Sequence, residues 1–283
     1  MPPFFEKLRN SVLLIPFPCY NLSMATPVDN LREILIAPKG VAVTFSGGMD
    51  SGFLSLAAVR FRGMETVKAF FVASELNPEK EAKRAAALAN RNGIPFSRLD
   101  LSVLQLAVFK EHPPDRCYHC KKEVFTRILA LLPHDWILAD GSNLDDRSDY
   151  RPGKRALVEL AVRSPLDSAG FTKAMIRETL TEWGAEEFIR PPMPCLATRI
   201  PFGTPIKAEM LQQIAEGEEI LRNAGLVAVR LRHHGVIARI EVPSEELDRA
   251  LPIVRNAAKA LKELGFRFIT VDVEGYRQGS MIP

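Results

Sequence analysis

Apolar and polar positions along the chain follow two periods. Residues 41–45 (Val-Ala-Val-Thr-Phe) are β-branched and apolar, the pattern of a short buried strand. Residues 67–73 repeat it, 96–101 repeat it more weakly, and 136–141 end a fourth such run in a polar loop. Between these runs the spacing becomes helical. Residues 52–59 are good helix formers, and 78–92 place Ala82, Ala85, Ala86 and Leu88 at core spacing before Gly93. Val124, Phe125, Ile128 and Leu129 continue the helical spacing further on. This alternation predicts an α/β fold, a parallel doubly wound sheet with helices on both faces. Ligands in such sheets bind at the carboxyl ends of the strands. Ser46, Ser74 and the loop from Asp140 to Asn143 then share one rim.

Helices are also expected over 156–161 and over 173–183, the second capped by Thr172 and followed by Gly184, with Ser164, Pro165 and Leu166 between them. Further on, residues 209–225 predict a helix with Leu211, Ile214, Ile220 and Leu221 on one face. Residues 226–232 and 236–242 alternate as two strands, a second helix ends near Gly265, and 268–273 closes the set as a strand. The chain thus divides into an N-terminal extension (1–30), a main domain (31–204) and a small C-terminal α/β domain (205–283). In the extension, prolines interrupt an apolar centre and the cleavage site expected of a signal peptide is poor. An amphipathic helix begins shortly after Met24, which makes Met24 the expected natural start.

Composition sharpens this little. With 283 residues, 47% apolar and 25% charged, the chain is an ordinary globular one with room for two domains. A net charge of +3 suits small anionic ligands and does not by itself suggest nucleic acid. Four cysteines in such a length are not a disulfide framework, and no apolar run reaches transmembrane length.

The candidate chemistry starts at Ser46-Gly47-Gly48-Met49-Asp50-Ser51, between the first strand and its helix. Two glycines leave no Cβ between a ligand and the backbone, and the helix start offers N–H groups and a positive dipole end to an anion. Ser46 and Ser51 add hydroxyl donors. An ordinary strand-to-helix turn explains Gly-Gly alone, but the whole string reads as a phosphate cradle. It lacks the Gly-Lys-[Ser/Thr] ending of a Walker A loop, which disfavours an NTPase that cleaves the γ-phosphate.

Cys117 and Cys120 form a Cys-x-x-Cys at a helix start beside Lys121 and Lys122. It reads as a redox dithiol, as half of a zinc site lacking its partner motif, or as two ligands of an iron–sulfur cluster. Two ordinary cysteines is the plain alternative, with His119 a bystander. The charged run 145–153 is a solvated connection by default, although it follows Asp140 on the ligand rim. Cys195 lies in a proline-rich stretch with Arg199 nearby, a nucleophile or ligand candidate.

Together these stretches resemble the LarE family, ATP-dependent sulfur transferases of the PP-loop ATP pyrophosphatase superfamily. The resemblance runs from about Leu31 to Met281. It rests on the 46–51 string, Ala73-Ser74-Glu75-Leu76, Asp149-Tyr150-Arg151-Pro152-Gly153, Arg199-Ile200-Pro201-Phe202-Gly203-Thr204 and Val229-Arg230-Leu231-Arg232-His233. It implies an adenine nucleotide alpha hydrolase-like fold, with 31–204 as the PP-loop domain and 205–283 for substrate binding or oligomerisation. It also implies conversion of the carboxylates of a pyridinium dicarboxylate mononucleotide to thiocarboxylates, in nickel-pincer cofactor biosynthesis for lactate racemase. ATP would rest on Ser46, Gly47, Gly48 and Ser51, with Asp50 near the pyrophosphate and its Mg²⁺ and Ser74 near the adenosine. The family's substrate-binding positions correspond to Arg199, Arg230 and Arg232. Arg230 and Arg232, two apart on a strand, point to one face, where guanidinium geometry suits a phosphate. A solvated edge face is the plain alternative.

Cys195 matches the cysteine that sacrificial members consume, leaving dehydroalanine. The further pair Cys117 and Cys120 resembles instead the members that hold a [4Fe–4S] cluster on three cysteines, with one iron open to carry sulfide. That resemblance favours cluster delivery over sacrifice, with sulfide or a sulfide donor as partner. It also implies a cytoplasmic homo-oligomer, a hexamer, with no membrane partner. A PP-loop tRNA thiolase is the runner-up, lacking here an extended basic surface. A nucleotide-binding regulator without turnover is the reading from another class.

Overall fold

The computed structural model describes residues 25–147, 152–190 and 195–277. The expected start at Met24, residues Asp149, Tyr150 and Arg151 of the charged run, and the prolines just before Cys195 lie outside them.

Helix α1 (Pro27–Ile36) opens on a reciprocal cap. The Thr26 hydroxyl accepts from Asp29 N, and the Asp29 carboxylate accepts from Thr26 N at 3.0 Å, with Pro27 at the first helical position. Strand β1 (Gly40–Thr44) follows, then α2 (Met49–Arg62), β2 (Val67–Ala73), α3 (Glu79–Arg91) and β3 (Phe96–Asp100). After the single turn α4 (Ala107–Lys110) come α5 (Arg116–Leu129) and β4 (Trp136–Ala139). The four strands are parallel in the order β3-β2-β1-β4, with Val43 level with Ala69 on one side and Ala139 on the other. The chain steps outward from β1 to β3 and then returns to the opposite side of β1. This reversal opens a crevice between the carboxyl ends of β1 and β4, the place where such sheets take ligands.

Pleating sorts the core. Val41 and Val43 pack with Leu31 and Leu35 of α1 and with Phe53 and Leu54 of α2. Ala42, between them, faces Tyr118, Phe125 and Ile128 of α5 and Ala156 and Leu157 of α6 (Lys154–Glu159). Helices α7 (Pro165–Ala169) and α8 (Lys173–Glu182) complete the α1–α2 face. The expected fold class is therefore found, helices on both faces included.

The C-terminal region forms a separate sheet. Strand β5 (Arg230–His234) pairs antiparallel with β6 (Ile237–Glu241), which pairs parallel with β7 (Phe268–Val271). Leu231 and Ile240 bury against Leu211 and Ile214 of α9 (Ala208–Asn223) and Leu261 of α10 (Leu247–Glu263). This core also takes in Leu76, Val103, Phe109 and Leu196, so it draws on residues from both sides of position 205.

Three local expectations shift. Helix α2 begins at Met49 instead of 52, because the extended Gly48 caps it and the loop glycines end earlier. The strand expected from 226 begins at Arg230, since Gly225 turns at φ 106° and Val227 points outward, 72% exposed, with no ladder partner. Ser164, Pro165 and Leu166, expected to separate two helices, instead begin a short helix of their own, Pro165–Ala169, with Pro165 at its start. Among the described residues no helix is long and apolar enough to cross a membrane.

Phe45 connects this core to the ligand rim. It is 2% exposed, meets Phe96 and Phe188 edge-on at 6.2 and 6.4 Å, and immediately precedes Ser46. Phe45→Ala should lower unfolding free energy by about 3–5 kcal/mol in urea titrations. ATP affinity should fall with it, because the loop loses its footing.

Candidate functional site

The phosphate cradle is built from a tight loop and the exposed start of α2. Gly47 adopts φ 70°, and a Cβ there would lie 3.1 Å from that of Ala85, so both conformation and space call for glycine. Ser46 N donates to Ser51 Oγ at 3.1 Å, the two hydroxyls lie 3.0 Å apart, and Gly48 N donates to Ser46 Oγ at 3.3 Å. Arg84 donates to the Gly47 carbonyl through both terminal nitrogens at 3.2 Å and to Glu81 at 2.9 Å. No side chain caps the first turn of α2, whose N–H groups stay available to an anion. Asp50 lies half-buried in that turn.

Across the crevice, the loop after β4 presses on the same turn. A Cβ on Gly141 would sit 3.0 Å from Ser51 N and 3.3 Å from the Asp50 Cβ. Ser74, at the end of β2, accepts from Leu76 N at 3.3 Å and lines a polar cleft of about 250 Å³ with Asn77, Arg98, Asp100 and Ser102. The rim expected to unite Ser46, Ser74 and 140–143 is present at the strand ends.

The three expected thiols come from two segments, Cys117 and Cys120 on the first turns of α5 and Cys195 on its loop. Burial pushes the Cys120 thiol up to about 12, and Cys195 and Cys117 add to the shift. Burial also raises Cys195, with Cys117 adding, although the residue as a whole keeps exposed surface. Thiols perturb one another in this way only as neighbours, so the sulfurs share one locality. Among the described residues, no three His, Cys, Asp or Glu side chains gather as a site for a single metal ion.

Packing explains why the two segments meet. His112, fully buried at φ 59°, places its Nδ1 2.9 Å from the Pro201 carbonyl and accepts from Gly203 N at 3.0 Å through its own carbonyl. Phe202 stacks on the His112 ring at 5.3 Å and receives the Arg116 guanidinium at 4.4 Å. Ile206 N donates to the Lys110 carbonyl at 2.8 Å. The chain entering α5 is thereby fastened to the segment that follows Cys195.

The arginines lie on the other side of Cys195. Arg199, 1% exposed, donates Nε and Nη2 to Glu218 at 2.8 and 3.2 Å and Nη1 to the Cys195 carbonyl at 3.3 Å. Arg232 donates Nε and Nη2 to Glu241 at 2.9 and 2.7 Å and Nη1 to the Thr198 carbonyl at 2.9 Å. Arg230 is half-buried beside the Tyr276 ring, and burial followed by the Arg199 charge lowers its pKa. The structure thus brings the three expected arginines together, with Arg199 and Arg232 each bonded to a carboxylate. Glu218 and Glu241 escaped the sequence reading. A glutamate in a helix and one in a strand carry no local mark of burial, and their partners stand 19 and 9 residues away.

A family model described as NAD synthase matches residues 28–130, the span from α1 through α5. An uncharacterised Synechocystis protein is 32% identical over 91% of this chain and 97% of its own. A Lactiplantibacillus plantarum protein named pyridinium-3,5-bisthiocarboxylic acid mononucleotide synthase is 32% identical over 92% of this chain and 95% of its own. The chain belongs to the LarE family. An uncharacterised Methanocaldococcus jannaschii protein, 31% identical over 88% of the chain, extends the likeness. The NAD synthase match includes the cradle, Cys117 and Cys120 but stops before Cys195. The LarE-family likeness, at 92% of the chain, runs through Cys195 and the arginine face.

His112 also makes the site sensitive to acid. Burial, then the nearby Arg116 charge, lowers its pKa from 6.5 to about 4. Its neutral form is favoured by folding, so this contribution is complete above pH 6.5 and is lost as pH falls from 6.5 towards 4. His112→Asn tolerates the left-handed backbone and removes the titration. Urea midpoints should therefore fall less steeply for the variant than for the wild type across that window.

Proposed function

We propose that the protein is an ATP-dependent sulfur transferase that converts a carboxylate of a pyridinium dicarboxylate mononucleotide to a thiocarboxylate. The observation that carries this reading is the Ser46–Ser51 cradle at the strand ends of a chain alike over 92% of its length to a pyridinium-3,5-bisthiocarboxylic acid mononucleotide synthase. A carboxylate is a poor acyl donor because oxide is a poor leaving group. ATP, with Mg²⁺ near Asp50, removes that obstacle. The carboxylate oxygen bonds to the α-phosphorus while the α–β anhydride breaks, and pyrophosphate departs with the electron pair. Sulfur then attacks the acyl carbon and AMP departs.

Cys117, Cys120 and Cys195 would hold a [4Fe–4S] cluster, to which each would supply one thiolate. Such a cluster, with one iron lacking a protein ligand, would supply sulfide as the nucleophile. The protein's own contribution is to seat the thiols together and to hold the acceptor. Arg230, with Arg199 and Arg232 beside it, would bind the acceptor's phosphate, and Ser74 would face the adenosine. The same reading makes the enzyme a cytoplasmic homo-oligomer whose main domain ends near residue 204.

Anaerobic purification tests the sulfur source. We expect about four irons and four acid-labile sulfides per chain, lost in Cys117→Ala and Cys120→Ala. A chain without iron whose Cys195 loses one sulfur after turnover would overturn cluster delivery in favour of sacrifice. Arg230→Ala should raise the KM for the mononucleotide ~10–100-fold, the worth of a charged hydrogen bond, and leave that for ATP unchanged. Steady-state pyrophosphate release reads both constants.

A further inference from the structure

We propose that Lys121 is a catalytic residue of the adenylation step, its ammonium facing the α-phosphate of ATP from the helix that carries the thiols. The assignment rests on the ATP-dependent activity proposed above. Lys121 follows Cys120 on α5, and its Nζ comes to 3.5 Å from Asp140 Oδ2, at the end of β4. The next residue, Gly141, lies against the first turn of α2, which links the ammonium's partner to the start of the phosphate cradle.

The arrangement fits a working cation better than a structural pair. The Asp140 carboxylate is buried and already accepts from Ser142 Oγ at 2.7 Å, Ser164 Oγ at 2.8 Å and Ser142 N at 3.2 Å. Lys121 adds the longest of these bonds, and its side chain keeps 41% exposure against 7% for Asp140. The carboxylate therefore orients the ammonium and does not depend on it. The stem is fixed as well: a Cβ on Gly153 would come within 2.7 Å of the Lys121 Cδ, and the Phe125 ring centre lies 5.7 Å from Nζ. Arg84, the cation packed on the loop itself, is turned to the Gly47 carbonyl and Glu81.

Adenylation concentrates charge on the α-phosphoryl oxygens as the new oxygen–phosphorus bond forms and the bond to pyrophosphate breaks. A fixed ammonium there stabilises the transition state more than the ground state. The same group faces the phosphate again when sulfur bonds to the acyl carbon and AMP leaves with the electron pair. Placing the cation between the cradle and the thiols lets one side chain serve both steps.

The full-length enzyme with ATP, Mg²⁺ and the pyridinium dicarboxylate mononucleotide provides the test. Lys121→Ala should lower kcat for pyrophosphate release ~10²–10³-fold with the KM for ATP within about threefold of wild type. Added ethylammonium should recover at least about tenfold of that loss, which a purely structural role would not allow. The melting temperature should barely change, as Asp140 keeps its hydrogen bonds to Ser142 and Ser164 without the lysine. An unchanged kcat, a change confined to KM, or a loss that ethylammonium does not relieve would overturn the assignment. Wild-type enzyme that releases no pyrophosphate would overturn the parent activity, and the role of Lys121 with it.

Discussion

A guanidinium with no access to water must be matched by an anion in place, and Arg199 is the largest fully buried side chain among the described residues. Glu218, 1% exposed, answers it with two hydrogen bonds, and also accepts from Arg222 and from Leu231 N on β5. Removing one partner of such a pair strands the other charge, a loss of about 3–5 kcal/mol. The pairing thus fixes a geometry more than it adds stability. Because Arg199 also holds the Cys195 carbonyl, the segment bearing that sulfur is tied to the C-terminal sheet. Arg232 repeats the device from β5, joining Glu241 to the Thr198 carbonyl.

Helix α5 supplies the other half of the constraint. One side of it buries Phe125 and Ile128 under the main sheet, while Cys120 packs towards the C-terminal core. The residues ahead of it are clamped to 201–206 through His112 and Phe202. The helix cannot move independently of either the crevice or the Cys195 loop. The two cysteines and Lys121 therefore share one rigid element, the arrangement that the proposed two-step transfer through an acyl-adenylate calls for.

Much of the main domain was legible because its signals are local. Val41 to Phe45, the double glycine and the spacing of Ala82, Ala85 and Leu88 each specify an element within one window, and all reappear. The string Ser46 to Ser51 marks its function by the same token. The buttress was not legible. Arg199 and Arg232 looked like arginines available to a substrate, and only the folded chain shows Glu218 and Glu241 beside them. His112 carried no signal either, since its burial depends on Pro201 to Gly203, some 90 residues away. Val227 misled for the opposite reason: β-branched and flanked by apolar neighbours, it fits a strand pattern but lacks any strand to pair with.

The carboxylates beneath the arginine face hold it in place. Arg199, Arg230, Arg232 and Arg239 face Glu218, Glu241 and Asp272, and Arg222 also reaches Glu218. These guanidinium groups are held by side chains whose rotamers are already locked by their partners. An anion arriving there meets preorganised cations and loses little to ordering them, the condition under which buried charge yields affinity. Burial, followed by the Arg199 charge, lowers the pKa of Arg230, while Glu218 and Tyr276 act the other way. A phosphate beside it would oppose that shift in the same way, which suits this position to the proposed acceptor.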